Sequence, residues 1–231
     1  MYDAIIVGGG PAGLSAALIL GRCRRRVVVC DAGAPRNAAS HALHGFLTRD
    51  GSPPQELLRI AREQLQPYDV ELRAVTVSDA RRTEQDDFEV TLDDGTRLHA
   101  RKLVLATGIV DNMPSLEGFN DFYGRSVFHC PYCDGWERRD QPLAVYARGT
   151  SGLHYAVNLL TWSRDLALCS DGPCGFDAPQ RAQLARHGIT LHETPIAHLE
   201  GHDGALEHIV FTDGTRLARR ALFFSLGQAQ R

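Results

Sequence analysis

Apolar and polar positions along this chain fall into short blocks rather than long stripes. Ile5-Ile6-Val7 is an unbroken apolar run, Gly8-Gly9-Gly10-Pro11-Ala12-Gly13 interrupts it, and Leu14 to Leu20 resumes as small and apolar residues. An apolar run without alternation fits a strand buried on both faces, and a glycine cluster ahead of a longer apolar segment marks a turn into a helix. Val27-Val28-Val29-Cys30 repeats the buried-strand signature and ends in Asp31, 18 positions after Gly13. The pattern predicts strand, turn, helix and a second parallel strand. Gly8, Gly10 and Gly13 satisfy G-x-G-x-x-G, with Pro11 and Ala12 opening the helix, and an acid about 20 residues on is the group that holds a ribose hydroxyl. Glycines let backbone N–H groups approach a pyrophosphate, and the positive end of the helix favours its charge.

The same pattern occurs twice. Asp94-Gly95-Thr96-Arg97-Leu98 leads through Arg101 and Leu103 to Gly108, and Asp213-Gly214-Thr215-Arg216-Leu217 leads through Arg220 and Leu222 to Gly227 at identical spacing. Sliding the first unit forward by 139 places Gly10 on Gly149, Gly13-Leu14 on Gly152-Leu153, Ala17 on Ala156 and the Val27 strand on Leu166-Ala167-Leu168-Cys169. The expected fold is therefore α/β, with two Rossmann-like dinucleotide-binding domains over 1–112 and 113–231. Each carries a strand-rich insertion with a D-G-T hairpin turn, around Phe88 to Leu98 and Ile209 to Leu217. The boundary is expected near Asp111 to Pro114, where Asn, Pro and Ser break the pattern.

The copies differ where chemistry is concerned. Ala147 stands for Gly8, Arg148 for Gly9 and Ser170 for Asp31. A Cβ at the tight turn and a bulky side chain in the loop both hinder backbone approach to a pyrophosphate. A 2′-phosphate would explain loss of the acid, but it calls for a nearby arginine, and Ser170-Asp171-Gly172-Pro173-Cys174 has none. The second copy is expected to seat NADPH or NADH weakly, or to be a scaffold that binds no nucleotide.

Composition narrows the class. A chain of 231 residues with 43% hydrophobic and 23% charged residues suits a globular protein, and no apolar run approaches the ~20 residues that span a bilayer. No membrane association is expected, and with no signal-like start the expected location is cytoplasmic. The net charge of −3 offers no footprint for nucleic acid, and the arginines of 22–26 read as solvation of a helix end.

The most informative chemistry is Cys130-Pro131-Tyr132-Cys133-Asp134-Gly135. Two cysteines two residues apart, in a chain that opens with a nucleotide loop, point to thiol-disulfide exchange, the second thiol resolving a mixed disulfide formed at the first. Structural zinc is the competing reading. Such a site takes four ligands, and Cys23, Cys30, Cys169 and Cys174 are scattered without a second pair, so no metal site is expected. Asp134 at the end of the motif also suits a helix N-cap.

In this order the glycine loop, the Ala106-Thr107-Gly108 strand end and the CxxC-D-G motif resemble the low-molecular-weight thioredoxin reductases, a family of FAD-dependent pyridine nucleotide-disulfide oxidoreductases, over nearly the whole chain. Asp31 to Asn37, His44 to Gly51 and His129 to Cys133 look particularly like the atypical bacterial branch, which is similar to dithiol oxidases of disulfide-containing natural products. Those oxidases tend to carry His after the second cysteine, where this chain has Asp134. The resemblance implies FAD in the first domain, with Gly8, Gly10, Pro11, Ala12 and Gly13 at the pyrophosphate and Asp31-Ala32 at the ribose. It also places Arg36 and Asn37 in the wrapping loop, Val77 at adenine through its backbone, Ala106, Thr107 and Gly108 over the nucleotide, and His44 beside the flavin or in an ordinary loop. Cys133 is implied as the thiol nearer the isoalloxazine, Cys130 as the one that meets the partner disulfide, and Asp134 as the proton shuttle.

The implied partners are a thioredoxin-like protein or a small-molecule disulfide or dithiol, and the implied assembly is a homodimer. Family members return to the FAD domain with a further segment ending in a Gly-Asp pair, and that segment is absent before Arg231. The function expected is passage of electrons between flavin and a substrate disulfide. The alternatives are a dithiol oxidase that uses O₂ without a nicotinamide cofactor, and a truncated non-catalytic relative.

Overall fold

The computed structural model describes residues 1–231, which form two compact units: 1–38, 53–110 and 229–231 in the first, and 39–52 and 111–228 in the second. Segment 39–52 is thus grouped with the second unit, whereas the sequence reading keeps it in the first.

In the first unit β1 (Tyr2–Val7), α1 (Pro11–Arg22) and β2 (Val27–Cys30) form the predicted βαβ start, followed by α2 (Pro54–Leu65), β3 (Val70–Arg73), β4 (Val77–Arg82), β5 (Phe88–Leu92) and β6 (Arg97–Leu105). The six strands lie in the order β3-β2-β1-β6-β5-β4. β1 pairs in parallel with β2 and β6, whereas β4, β5 and β6 run antiparallel around the Asp94-Gly95 turn. Alternate side chains of β2 explain its unbroken apolar run. Val27 and Val29 pack under the helices with Ile6, Leu14, Ala17 and Leu58, while Val28 and Cys30 face the antiparallel ribbon with Val90, Leu92 and Leu98. Neither face of the strand meets water, so neither carries a polar residue.

The chain leaves this unit through β7 (Ile109–Asp111), and the second unit repeats the plan. After α3 (Phe119–Phe122) come β8 (Val127–Phe128), α4 (Pro131–Asp134) and a single 3₁₀ turn at Trp136–Arg138. The core elements are β9 (Leu143–Ala147), α5 (Gly149–Leu159), β10 (Leu166–Cys169), α6 (Ala178–Arg186) and β11 (Thr190–His192). A three-stranded ribbon of β12 (Ile196–His202), β13 (Ala205–Phe211) and β14 (Arg216–Ala218) precedes β15 (Ala221–Ser225) and β16 (Gln228–Gln230), which pairs with β7. The parallel sheet runs β11-β10-β9-β15-β8. Leu143 and Val145 face α5 and α6, and Ala144 and Tyr146 face the ribbon, the same division of faces as in the first unit. The duplication read from sequence is a structural one. A shift of 139 carries β2 onto β10 without a gap, and the D-G-T segments are the turns between β5 and β6 and between β13 and β14.

Candidate functional site

In the first unit the glycine loop joins the C-terminal end of β1 to α1, the place where open parallel sheets hold ligands. Its spacing has steric causes. Gly8 has φ +105°, and a Cβ there would overlap the Ala106 carbonyl at the end of β6. A Cβ on Gly13 would overlap the Gly8 carbonyl, so the third glycine lets the helix sit against the turn. Gly9 faces Asp31, whose Cγ would lie 2.6 Å from an added Cβ, whereas Gly10 has nothing within 4 Å. The loop is therefore closed against its own strands on one side and open on the other. Gly10 is the N-cap and no side chain caps α1, which leaves the helix end to an external anion.

Asp31 follows β2. Its carboxylate accepts from Arg62 Nη2 on α2 at 3.1 Å and from Gly33 N–H at 3.3 Å. Arg62 is a partner no sequence spacing announces, because tertiary packing alone brings α2 beside the end of β2. Arg36 and Asn37 lie in the turn closed by Ala38 N–H on Pro35 O. Val77 opens β4, its side chain packed against the sheet, so what it can offer a ligand is backbone. Ala106 N–H donates to Val7 O at 2.8 Å, which holds Ala106-Thr107-Gly108 beside the loop. These features pass a chemical test for a nucleotide diphosphate: an open glycine face, an uncapped helix N-terminus and a carboxylate at the next strand end. Gly8→Ala combines a disfavoured φ with a backbone overlap, so it is expected to lower stability by at least about 1–2 kcal/mol and to reduce binding of added flavin nucleotide. Thermal melts and the flavin-to-protein absorbance ratio read both effects, and unchanged values would show that the loop opens without cost.

The dithiol stands in the second unit. Cys130 is the N-cap residue of α4, Cys133 lies on it, and the two are joined in a disulfide. Cys133 is exposed and Cys130 half-buried. Gly135 is sterically required, since a Cβ would lie 2.7 Å from the Trp162 ring, and Tyr132 meets the same indole edge-on at 5.3 Å. Asp134 ends α4 rather than starting a helix, and no side-chain cap forms there, so the N-cap reading fails. Burial instead pushes its carboxyl up to about 6, with His44 and Arg138 opposing and Glu137 reinforcing the shift. Burial also raises the Tyr155 hydroxyl, with a smaller contribution from Asp134; Tyr155 donates to His129 O at 3.0 Å. His44 belongs to this cluster, its Nδ1 lying 3.6 Å from Glu137 and 3.8 Å from Asp50.

The second glycine loop is rebuilt around an ion pair. Arg148 donates to Asp171, which also accepts from Tyr146 OH at 3.0 Å and from Ile196 N–H at 3.0 Å. The hydroxyl of buried Ser170 donates to Gly172 O at 2.7 Å. The acid missing at 170 thus reappears one residue later, and the arginine absent from the strand end comes from the loop itself. Both escape a reading tied to fixed positions. Around them opens a cavity of about 710 Å³, also lined by Ser151, Ser225 and Asn112.

The profile of the pyridine nucleotide-disulphide oxidoreductases matches residues 2–231. The chain belongs to this family. It is 39% identical over 180 residues to thioredoxin reductase tcpT of Claviceps purpurea, an alignment covering 74% of this chain and 56% of that protein. Its fold matches TrxB of Bacillus anthracis with a TM-score of 0.94 at 32% identity, covering all of this chain and 77% of the other. An oxidoreductase of Agrobacterium tumefaciens matches with a TM-score of 0.89 at 37% identity, covering 96% and 74%. The chain spans about half the length of curated relatives it matches. No helix is long and apolar enough to cross a membrane.

Proposed function

We propose that this family member is a flavin-dependent disulfide oxidoreductase whose first unit holds FAD and whose Cys130-Cys133 pair exchanges with a substrate disulfide. The observation that carries the reading is the closed CxxC disulfide next to a carboxyl held near neutrality, because exchange needs both a reversible dithiol and a local proton carrier. Gly8, Gly10, Gly13 and Asp31 would hold FAD, with Arg36, Asn37 and Ala106 to Gly108 around it. When bound, FAD supplies the two electrons that open the Cys130-Cys133 disulfide.

The Cys130 thiolate attacks one sulfur of the substrate, breaking its S–S bond and releasing one thiolate. The Cys133 thiolate attacks the mixed disulfide, frees the second thiolate and restores Cys130-Cys133. Asp134 delivers a proton to a leaving sulfur and recovers one in the reverse direction. Tyr155, through His129 O, and Trp162, through Gly135, hold the motif's backbone in place. The assignment of Cys130 as attacking thiol rests on the family resemblance. The substrate is a thioredoxin-like protein or a small disulfide, and the assembly is a homodimer. Purified protein should show absorbance near about 450 nm from bound flavin and reduce a disulfide once electrons are supplied. A colourless chain that takes up no added FAD would overturn the proposal in favour of a non-catalytic relative.

One observation favours the reverse direction, in which a substrate dithiol and O₂ give a disulfide and H₂O₂. The Arg148–Asp171 pair sits in the loop that a nicotinamide nucleotide would need. NADPH and NADH are accordingly expected to bleach the flavin-loaded protein slowly or not at all in stopped flow. Fast, saturable bleaching would return the protein to an ordinary nicotinamide-dependent reductase.

A further inference from the structure

Just after the CxxC motif, the second unit carries a concentration of positive charge, of which Arg138 alone also acts on the Asp134 carboxyl. A cavity of about 350 Å³ is lined by Arg125, Arg138 and Arg220, together with His41, Gln141 and Asp203. None of the three arginines forms a salt bridge, whereas Arg148, Arg181, Arg216 and Arg219 in the same unit each pair with a carboxylate. Two of them are held in place. Arg138 stacks on the Phe128 ring at 5.5 Å and donates through Nη2 to Arg125 O, while its buried Nε has no hydrogen-bond partner. Arg125 lies across the turn between β12 and β13, where a Cβ on Gly204 would come 3.0 Å from its Nη1. That turn is itself pinned, since Ser126 Oγ donates to Gly204 O at 2.8 Å and accepts from Leu206 N–H at 3.0 Å. Arg220 enters from the start of β15, its own N–H bonded to Pro142 O at 2.8 Å.

Three guanidinium groups against one carboxylate leave two positive charges facing a small cavity. Guanidinium forks match the oxygens of tetrahedral anions, and holding them in place in advance removes much of the entropic cost of binding. We propose that this cavity is a binding site for a doubly charged oxyanion, a phosphoryl group in particular, separate from both glycine loops. Two charges favour a dianion over a carboxylate, and the volume admits a phosphate with a substituent.

The test is calorimetric titration of the purified full chain, with FAD present, by inorganic phosphate, glycerol phosphate and acetate in chloride buffer. Phosphate should bind saturably at one site, and acetate should bind about tenfold more weakly or worse. Arg138→Met keeps an unbranched stem over Phe128 and should weaken phosphate about tenfold or more, and Arg220→Ala, whose side chain is exposed, should do the same without disturbing the fold. Comparable binding of glycerol phosphate would identify an esterified phosphoryl group as the ligand, and binding of phosphate alone would identify the free ion. Absence of saturation, equal affinity for acetate, or phosphate affinity unchanged in both variants would overturn the site.

Discussion

Replacing either cysteine of the motif with serine is expected to reduce disulfide turnover by at least about 10³-fold, because a hydroxyl cannot form the sulfur–sulfur bond each half-reaction needs and the two thiols act as a unit. The variants should differ in what they trap. Cys133→Ser retains an attacking thiol at Cys130 without a resolving partner, so a mixed disulfide with a small protein disulfide should accumulate and be found on Cys130 by peptide mass mapping. Cys130→Ser should accumulate little. The mapping matters because Cys23 is also free and exposed. Accumulation in Cys130→Ser alone would exchange the two roles. Turnover that survives either substitution would remove the dithiol from the reaction. Neither readout depends on the phosphate site, so the two proposals fail separately.

Asp134→Asn is expected to divide activity from stability. Without a proton carrier at this position turnover should fall by about 10²-fold or more. Stability should move the other way, and only above acidic pH. The Asp134 carboxyl is held at about 6 against an ordinary value of 3.8, so the folded protein binds this proton more tightly than the unfolded chain does. Protonated Asp134 is accommodated at low pH, and stability is lost as pH rises from about 4 through about 6, up to about 3 kcal/mol for a two-unit shift. The asparagine variant lacks that loss. Urea midpoints of the two proteins should therefore converge near pH 4 and separate at pH 8, with Asp134→Asn the more stable. His44, Glu137 and Arg138 act on the same carboxyl, so His44→Ala, by removing a group that lowers its pKa, should shift the transition toward higher pH. A gap independent of pH would show that Asp134 is not the titrating group.

The geometry of the CxxC pair and of the first glycine loop was legible because each depends on local constraints. Gly8 and Gly13 are set by clashes with atoms a few residues or one strand away, and Cys130 and Cys133 need only one helical turn to meet. The D-G-T turns were equally readable, since a positive φ at Gly95 and Gly214 is a local demand. The N-cap role read for Asp134 was not upheld: the N-cap of α4 is Cys130, four residues earlier, and Asp134 is the last residue of that helix.

By itself, then, the sequence determined the α/β class, the two-fold repeat of the strand–helix–strand unit, the loop that can hold a nucleotide and the dithiol, because apolar period, glycine sterics and short spacing act within a few residues. Tertiary structure decided the electrostatics. It brought Arg62 from α2 to Asp31, paired Arg148 with an acid displaced by one position, gathered His44 and Glu137 around Asp134, and set Arg125, Arg138 and Arg220 around one cavity. Charge acts across space rather than along the chain, so residues far apart in sequence set one another's protonation and binding only once packing has placed them together.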